Sequence, residues 1–298
     1  MTTRRRFLTI TAAVAATTLA GPARAATARW TGRALGAEAS LTLHGPAART
    51  QPALKAAIDQ IREVESLFSL FAPTSALSRL NRDGYLANPA PEMLRLFRHV
   101  GDIHRLTEGL FDPTVQPLWQ AHARGGDPAQ AIAALGWSRV HASAARITLA
   151  PGQALTFNGI AQGFATDAVT DRLRAHGLQD VHVNIGEHRV LGPARRLGLA
   201  GQGEDGAELL GHVTLQDAAI ATSSPGAMRL AKGFHILAPH GGTPRWGTVS
   251  VVAETATLAD GLSTALCLAD LPLARRLRAA PGIHRILLAD TAGDLITL

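Results

Sequence analysis

The sequence predicts an α+β domain with mixed, largely antiparallel sheets and helices packed against them. Three observations carry that expectation. Apolar residues make up 46% and charged residues 17% of the 298 residues, a balance that supports a packed core. Some stretches repeat apolar residues at helical spacing and others alternate them. The two kinds follow one another without the regular alternation of a doubly wound parallel sheet.

The first element is an address. Thr3-Arg4-Arg5-Arg6-Phe7-Leu8-Thr9 precedes an Ala-rich apolar run from Ile10 to Ala20, Gly21 and Pro22 break it, and Ala23-Arg24-Ala25 reads as a cleavage site. The arginines followed by Phe-Leu resemble a twin-arginine export signal. The expected organisation is therefore a signal at 1–25 and one domain at 26–298, with the twin-arginine translocon as export partner and the periplasm as destination. The run is too short to span a bilayer.

A net charge of +6 and an isoelectric point near 10.8 first point to nucleic acid. Without the four arginines of 1–25, 25 basic and 23 acidic residues remain, a net of +2, and aromatics make up only 4%. No nucleic-acid partner is expected. Cys267 is the sole cysteine, which excludes an intrachain disulfide framework and a Cys-based zinc site.

Along the domain, residues 29–43 alternate and read as a strand ending in Ser40-Leu41-Thr42-Leu43. Ala53 to Phe68 reads as a helix through Leu54, Ala57, Ile61 and Val64. Pro91 opens a second amphipathic helix through Met93, Phe97, Val100 and Ile103, with Gly109 as its stop. Pro117 to Ala123 reads as a short helix. Strands are expected at Arg146–Leu149 and Ala154–Phe157, a helix from Ile160 to His176, and a strand at Val181–Ile185, making 154–186 a strand–helix–strand unit. Further strands are expected at 189–200, 209–215, 218–222, Phe234–Leu237 and Thr248–Val252. Helices at Leu258–Leu268 and Leu271–Ala279 and a closing hairpin around Ala292-Gly293 complete the chain.

The motifs carry alternatives. Gly201-Gln202-Gly203-Glu204-Asp205-Gly206 has dinucleotide-loop spacing, but its two acids and the strand-like sequence after it favour a plain loop. Thr156-Phe157-Asn158-Gly159-Ile160-Ala161-Gln162-Gly163 runs through a small-residue turn into a helix. Such a start can take a phosphate, or can reflect close packing. Asp260 and Thr264 are four apart on one helix, so their oxygens share a face. They suit Mg²⁺ with phosphates completing its shell; alternatively Asp260 caps the helix. His235 reads as a structural histidine or as an acid–base group.

The order of these pieces resembles the FAD:protein FMN transferases, the ApbE-like family, over roughly residues 30–297. Gly109-Leu110-Phe111-Asp112-Pro113-Thr114-Val115-Gln116-Pro117-Leu118 is the most specific match. Gly32 to Gly36, Glu65 to Asn81, Asn158 to Asp167, Val183 to Gly186, Ala221-Thr222-Ser223, His235-Ile236 and Ala259-Asp260 to Leu266 follow in the family's order. The resemblance implies an ApbE-like fold and a reaction: FAD is split at its pyrophosphate, FMN is joined to a threonine or serine hydroxyl of an exported acceptor flavoprotein, and AMP leaves. It implies Mg²⁺ held by Asp260, Thr264 and the backbone carbonyl of Gly159. It places Leu35, Phe71, Leu110, Phe111, Asp112, Thr156 and Gln162 against FAD. His235 is the candidate acceptor of the hydroxyl proton, since an imidazole suits that role near neutral pH.

The chain departs from the family pattern at Gln162 (commonly Lys or Glu), Glu187 (the second glycine after the Val183 strand), Ser224 (Gly), Thr156 (Asp), and Ala238 and Gly241 (Asp and Thr). An altered pocket leaves two alternatives beside the transferase: a non-catalytic FAD-binding protein, and an FAD pyrophosphatase giving FMN and AMP.

Overall fold

A computed structural model describes residues 27–203 and 206–298. The expected export signal and part of the Gly201–Gly206 motif lie outside the described residues. Residues 29–43 form not one strand but a hairpin, β1 (Thr27–Ala34) and β2 (Ala37–His44). The turn between them has positive φ at both Leu35 (49°) and Gly36 (84°), the backbone a tight twisted hairpin requires.

Helix α1 spans Ala47–Phe68 and starts six residues before the expected Ala53, because Pro52 is accommodated near its N-terminal end. Next come α2 (Ala76–Asp83), β3 (Tyr85–Ala87), α3 (Pro91–Leu106), α4 (Gln116–Arg124) and α5 (Ala129–Ala134). The Ser75 side chain caps α2 by accepting from the Ser78 N–H at 3.0 Å. A small sheet, β4 (His141–Ala142) and β5 (Arg146–Thr148) with β3, follows.

Ala154–Phe157 is extended but joins no sheet, so the expected strand–helix–strand unit is a helix and strand only. The reason is local: the Asn81 side-chain amide serves Leu155 in place of a neighbouring strand. Leu155 N–H donates to Asn81 Oδ1 at 2.7 Å, and Asn81 Nδ2 donates to the Leu155 carbonyl at 2.8 Å. Helix α6 (Ala161–Ala175) then leads to β6 (Val181–Ile185), β7 (His188–Leu191), β8 (Arg195–Gly203), β9 (Gly206–Leu215) and β10 (Ala218–Ser223). Gly201–Gly203 and Gly206 lie in the paired arms of the β8–β9 hairpin, with no helix start. Phe234–Leu237 is not a strand; Phe234 makes a single bridge to Arg229. The chain ends with β11 (Thr248–Ala253), α7 (Ala256–Leu266), α8 (Leu271–Arg278), β12 (Ile283–Ala289) and β13 (Leu295–Thr297).

One eight-stranded sheet runs β1-β2-β6-β7-β10-β11-β12-β13, and every neighbouring pair in it is antiparallel. The helices cover one face. Leu41, Val183, Ile185 and Val251 from the strands meet Val64, Phe68, Phe164, Val169 and Leu262 from the helices in the main core. The β8–β9 hairpin covers the other face through Leu197, Leu199, Val213 and Leu215, packed on Val190, Ile220, Val252 and Leu287. The α+β expectation therefore holds. Among the described residues no helix is long and apolar enough to cross a membrane.

Candidate functional site

The site is built where α6 and α7 start side by side. Helix α7 begins at Ala256 and Thr255 caps it, so Asp260 is not a cap but a side chain of the second turn. A second carboxylate reinforces that helix start from outside. Asp167 on α6 accepts from Ala256 N–H (2.9 Å), Thr257 N–H (2.8 Å) and Thr257 Oγ1 (2.5 Å), and also pairs with Arg189 of β7. Negative charge at a helix N-terminus is favourable.

Asp260 is 3% exposed and its Oδ2 accepts from the Gly163 N–H at 2.9 Å. Burial raises its pKa to about 7; the Gly163 bond opposes the rise and the Asp167 charge adds to it. Thr264 lies one turn further along the same face. A methyl group added at Gly159 would sit 2.7 Å from Thr264 Oγ1, so backbone and hydroxyl meet there and only glycine leaves the space. Ser223, at the end of β10, bonds Ser263 Oγ at 2.8 Å and Thr264 Oγ1 at 3.3 Å. The structure thus sets Thr264 against Gly159, and Asp260, one turn earlier on α7, against Gly163. Carboxylate, hydroxyl and backbone carbonyl are all oxygen donors, the set a hard divalent cation accepts. Among the described residues there is no cluster of three or more His, Cys, Asp or Glu that would hold a metal by itself.

The remaining expected residues lie on the β1–β2 turn, the segments after α1 and α3, the segment before α6, and the first turn of α6. Leu35 N–H donates to Glu65 Oε1 at 2.9 Å, which holds the β1–β2 turn on α1. A methyl group at Gly36 would lie 3.8 Å from the Phe71 ring, so Leu35, Gly36 and Phe71 adjoin, with Phe71 59% exposed. The Asp112 carboxylate faces inward: Oδ1 accepts from Thr114 N–H (2.8 Å) and Thr114 Oγ1 (2.6 Å), and Oδ2 from Trp137 N–H (3.2 Å). Asp112 therefore shapes the loop that presents half-buried Leu110 and buried Phe111. That loop is joined to the Thr156 segment, because Thr156 N–H donates to the Pro113 carbonyl at 2.9 Å. Gln162 lies over the β6–β7 turn: a methyl group at Gly186 would meet its amide at 2.6 Å.

His235 sits on the loop that follows β10. Its Nδ1 lies 3.1 Å from both the Pro225 and the Met228 carbonyls. Two carbonyls require a proton on Nδ1, which leaves Nε2 as the basic nitrogen. Burial lowers its pKa, against the two backbone bonds that raise it. The same loop returns to the end of α3, since a methyl group at Gly109 would lie 3.2 Å from His240 Nε2.

Sequence reasoning missed Ser263, Arg189 and the anchoring role of Glu65. Nothing local marks them; each acquires its role from a partner on another element. Glu187 was noted only as a departure. It is 6% exposed, its Oε2 accepts from Thr222 N–H at 3.2 Å, and burial followed by the Asp260 charge pushes its pKa well up.

An antiparallel sheet covered by helices on one face and by a hairpin on the other is the architecture of an α+β protein. The ApbE family profile matches residues 35–287, and the chain belongs to that family. The fold is shared with flavin transferase ApbE from Vibrio cholerae (21% identity, 92% of this chain and 97% of that one, TM-score 0.77). It is shared equally with the flavinyl transferase ApbE of Pseudomonas stutzeri, apo form (23%, 94% and 96%, 0.77), and the ApbE protein of Thermotoga maritima (21%, 91% and 96%, 0.79). Among curated protein sequences none matches this chain significantly.

Proposed function

We propose that this chain is an ApbE-type flavin transferase that moves FMN from FAD to a threonine or serine hydroxyl of an exported flavoprotein and releases AMP. The observation that carries the reading is the setting of Thr264 against Gly159 and of Asp260 against Gly163 at the start of α6, in a member of the ApbE family. The Asp260 carboxylate, the Thr264 hydroxyl and the Gly159 carbonyl would hold Mg²⁺, which supplies charge neutralisation to a pyrophosphate. Leu35, Phe71, Leu110 and Phe111, with Asp112, Thr156 and Gln162, orient FAD. His235 Nε2 takes the proton of the acceptor hydroxyl. The hydroxyl oxygen bonds to the FMN phosphorus as the bond to AMP breaks, so the chain's work is positioning and proton transfer. The Arg4-Arg5-Arg6-Phe7-Leu8 segment supports export by the twin-arginine route to the periplasm, where the acceptor would be met.

The purified protein, incubated with FAD, Mg²⁺ and a peptide bearing an acceptor threonine, tests this. In-gel flavin fluorescence on the peptide is expected. Free FMN and AMP without labelled peptide would make the protein a pyrophosphatase, and intact bound FAD would make it a carrier. Asp260→Ala should remove Mg²⁺-dependent turnover, by at least about a hundredfold for a loss of several kcal/mol of charge stabilisation. Retained turnover would rule out the metal site.

A further inference from the structure

Three carboxylates gather around the paired starts of α6 and α7, and their partners are unequal. Asp167 is satisfied by Arg189 and by three donors of α7. Asp260 has the Gly163 N–H on one oxygen, and Glu187 has the Thr222 N–H on one oxygen. Among the described residues neither has an ion-pair partner, and the second oxygen of each has no protein donor. Both side chains are more than nine-tenths buried.

The two lean on the same turn of α6. Gly163 binds Asp260, and Thr166 Oγ1, three residues on, donates to the Glu187 carbonyl at 3.2 Å. On the opposite side Thr222 binds the Glu187 carboxylate, and the next residue, Ser223, bonds Thr264. Glu187 is therefore tied both to α6, whose Gly163 binds Asp260, and to the β10 end, whose Ser223 binds Thr264. Two buried carboxylates without a counter-ion are neutralised either by protons or by a cation held between them.

We propose that Glu187 is a further ligand residue of this centre, its unpartnered oxygen joining Asp260, Thr264 and the Gly159 carbonyl around one hard divalent cation. The inference rests on the metal reading above. It gives this chain a second carboxylate where the family resemblance has glycine, and hence tighter metal binding in the absence of acceptor.

Mn²⁺ is the probe, titrated into the purified protein without and then with FAD, the free ion being followed by its EPR signal. Glu187→Gln retains the shape and can still accept from Thr222, but presents an uncharged amide to the ion. Its Mn²⁺ affinity should fall by about 10–100-fold, the range for groups that support a metal centre. Glu187→Gly should fall similarly, and serves if the glutamine variant does not fold by circular dichroism. Asp260→Asn separates the two readings. If it loses Mn²⁺ while both Glu187 variants bind as the unmodified protein does, the Glu187 inference alone is overturned. If Asp260→Asn also binds normally, or the unmodified protein binds no Mn²⁺, the metal reading falls and takes this inference with it.

Discussion

The Gly163 N–H donates to Asp260 Oδ2 at 2.9 Å, and this bond ties the first turn of α6 to the second turn of α7. It also fixes the carboxylate on which the metal reading depends. The contact is possible because the two helices touch backbone to backbone at Gly163.

Gly163→Ala should therefore break both fold and site. Its methyl group would lie 2.3 Å from the Ala256 carbonyl oxygen and 2.7 Å from Asp260 Cβ. Backbone cannot rotate away, so the helices must separate, at a cost of about 1–3 kcal/mol typical of overpacking. A lowered urea midpoint together with lost transferase activity is the expected result. A variant with an unchanged midpoint would show that the helices are not held so closely.

His235→Gln keeps a side chain able to bond the Pro225 and Met228 carbonyls but removes the basic Nε2. The turnover number should drop by about 10²–10⁴-fold if the imidazole takes the hydroxyl proton, while KM for FAD changes little. The pH profile gives a second reading. The His235 pKa lies below the ordinary 6.5, so activity of the unmodified enzyme should stay level through neutral pH and fall only on the acid side. Loss of that acid limb in the variant, with the residual rate, identifies the base; an unchanged limb assigns it elsewhere.

Stability should fall in mild acid because of a different histidine pair. His182 Nε2 and His188 Nδ1 are 2.9 Å apart, with rings stacked at 5.2 Å, on adjacent strands beside the β8–β9 hairpin. Burial lowers their pKa values to about 4 and about 3, with the Arg195 charge adding for His182 and the His182 charge for His188. Between those values and 6.5 the unfolded chain binds protons that the native state does not. Stability is then complete above about pH 6.5 and declines as pH drops, by about 1.4 kcal/mol per pH unit for each proton. Urea midpoints at pH 7.5 and 5.0 should differ accordingly, and His188→Phe should flatten the difference. An equal slope in that variant would assign the acid sensitivity to other groups.

Much of the fold was legible. Met93, Phe97, Val100 and Ile103 repeat at helical spacing, and α3 buries all four. The closing hairpin followed from Ala292-Gly293 between two apolar runs, and β12 and β13 pair there. Ala154–Phe157 misled because an extended chain with alternating burial looks like a strand whether its partner is another strand or, as here, the Asn81 amide. Phe234–Leu237 failed for a related reason: the neighbouring His235 is tied to carbonyls of its own loop, not to a sheet.

The site divides along the same line. The sequence by itself determined that Asp260 and Thr264 share a face, because four residues make about one helical turn, and it placed Gly159 just before another helix. What only the tertiary structure decided is which residues these meet. Gly163 and Asp260 are 97 residues apart, and Thr257 and Asp167 are 90 apart. Glu187 and Thr222, 35 apart, join the same point through the pairing of β7 with β10. Local periodicity reports which way a side chain faces, since it follows from the backbone repeat. It does not report which distant carboxylate shares that space, because that follows from how the helices and the sheet pack.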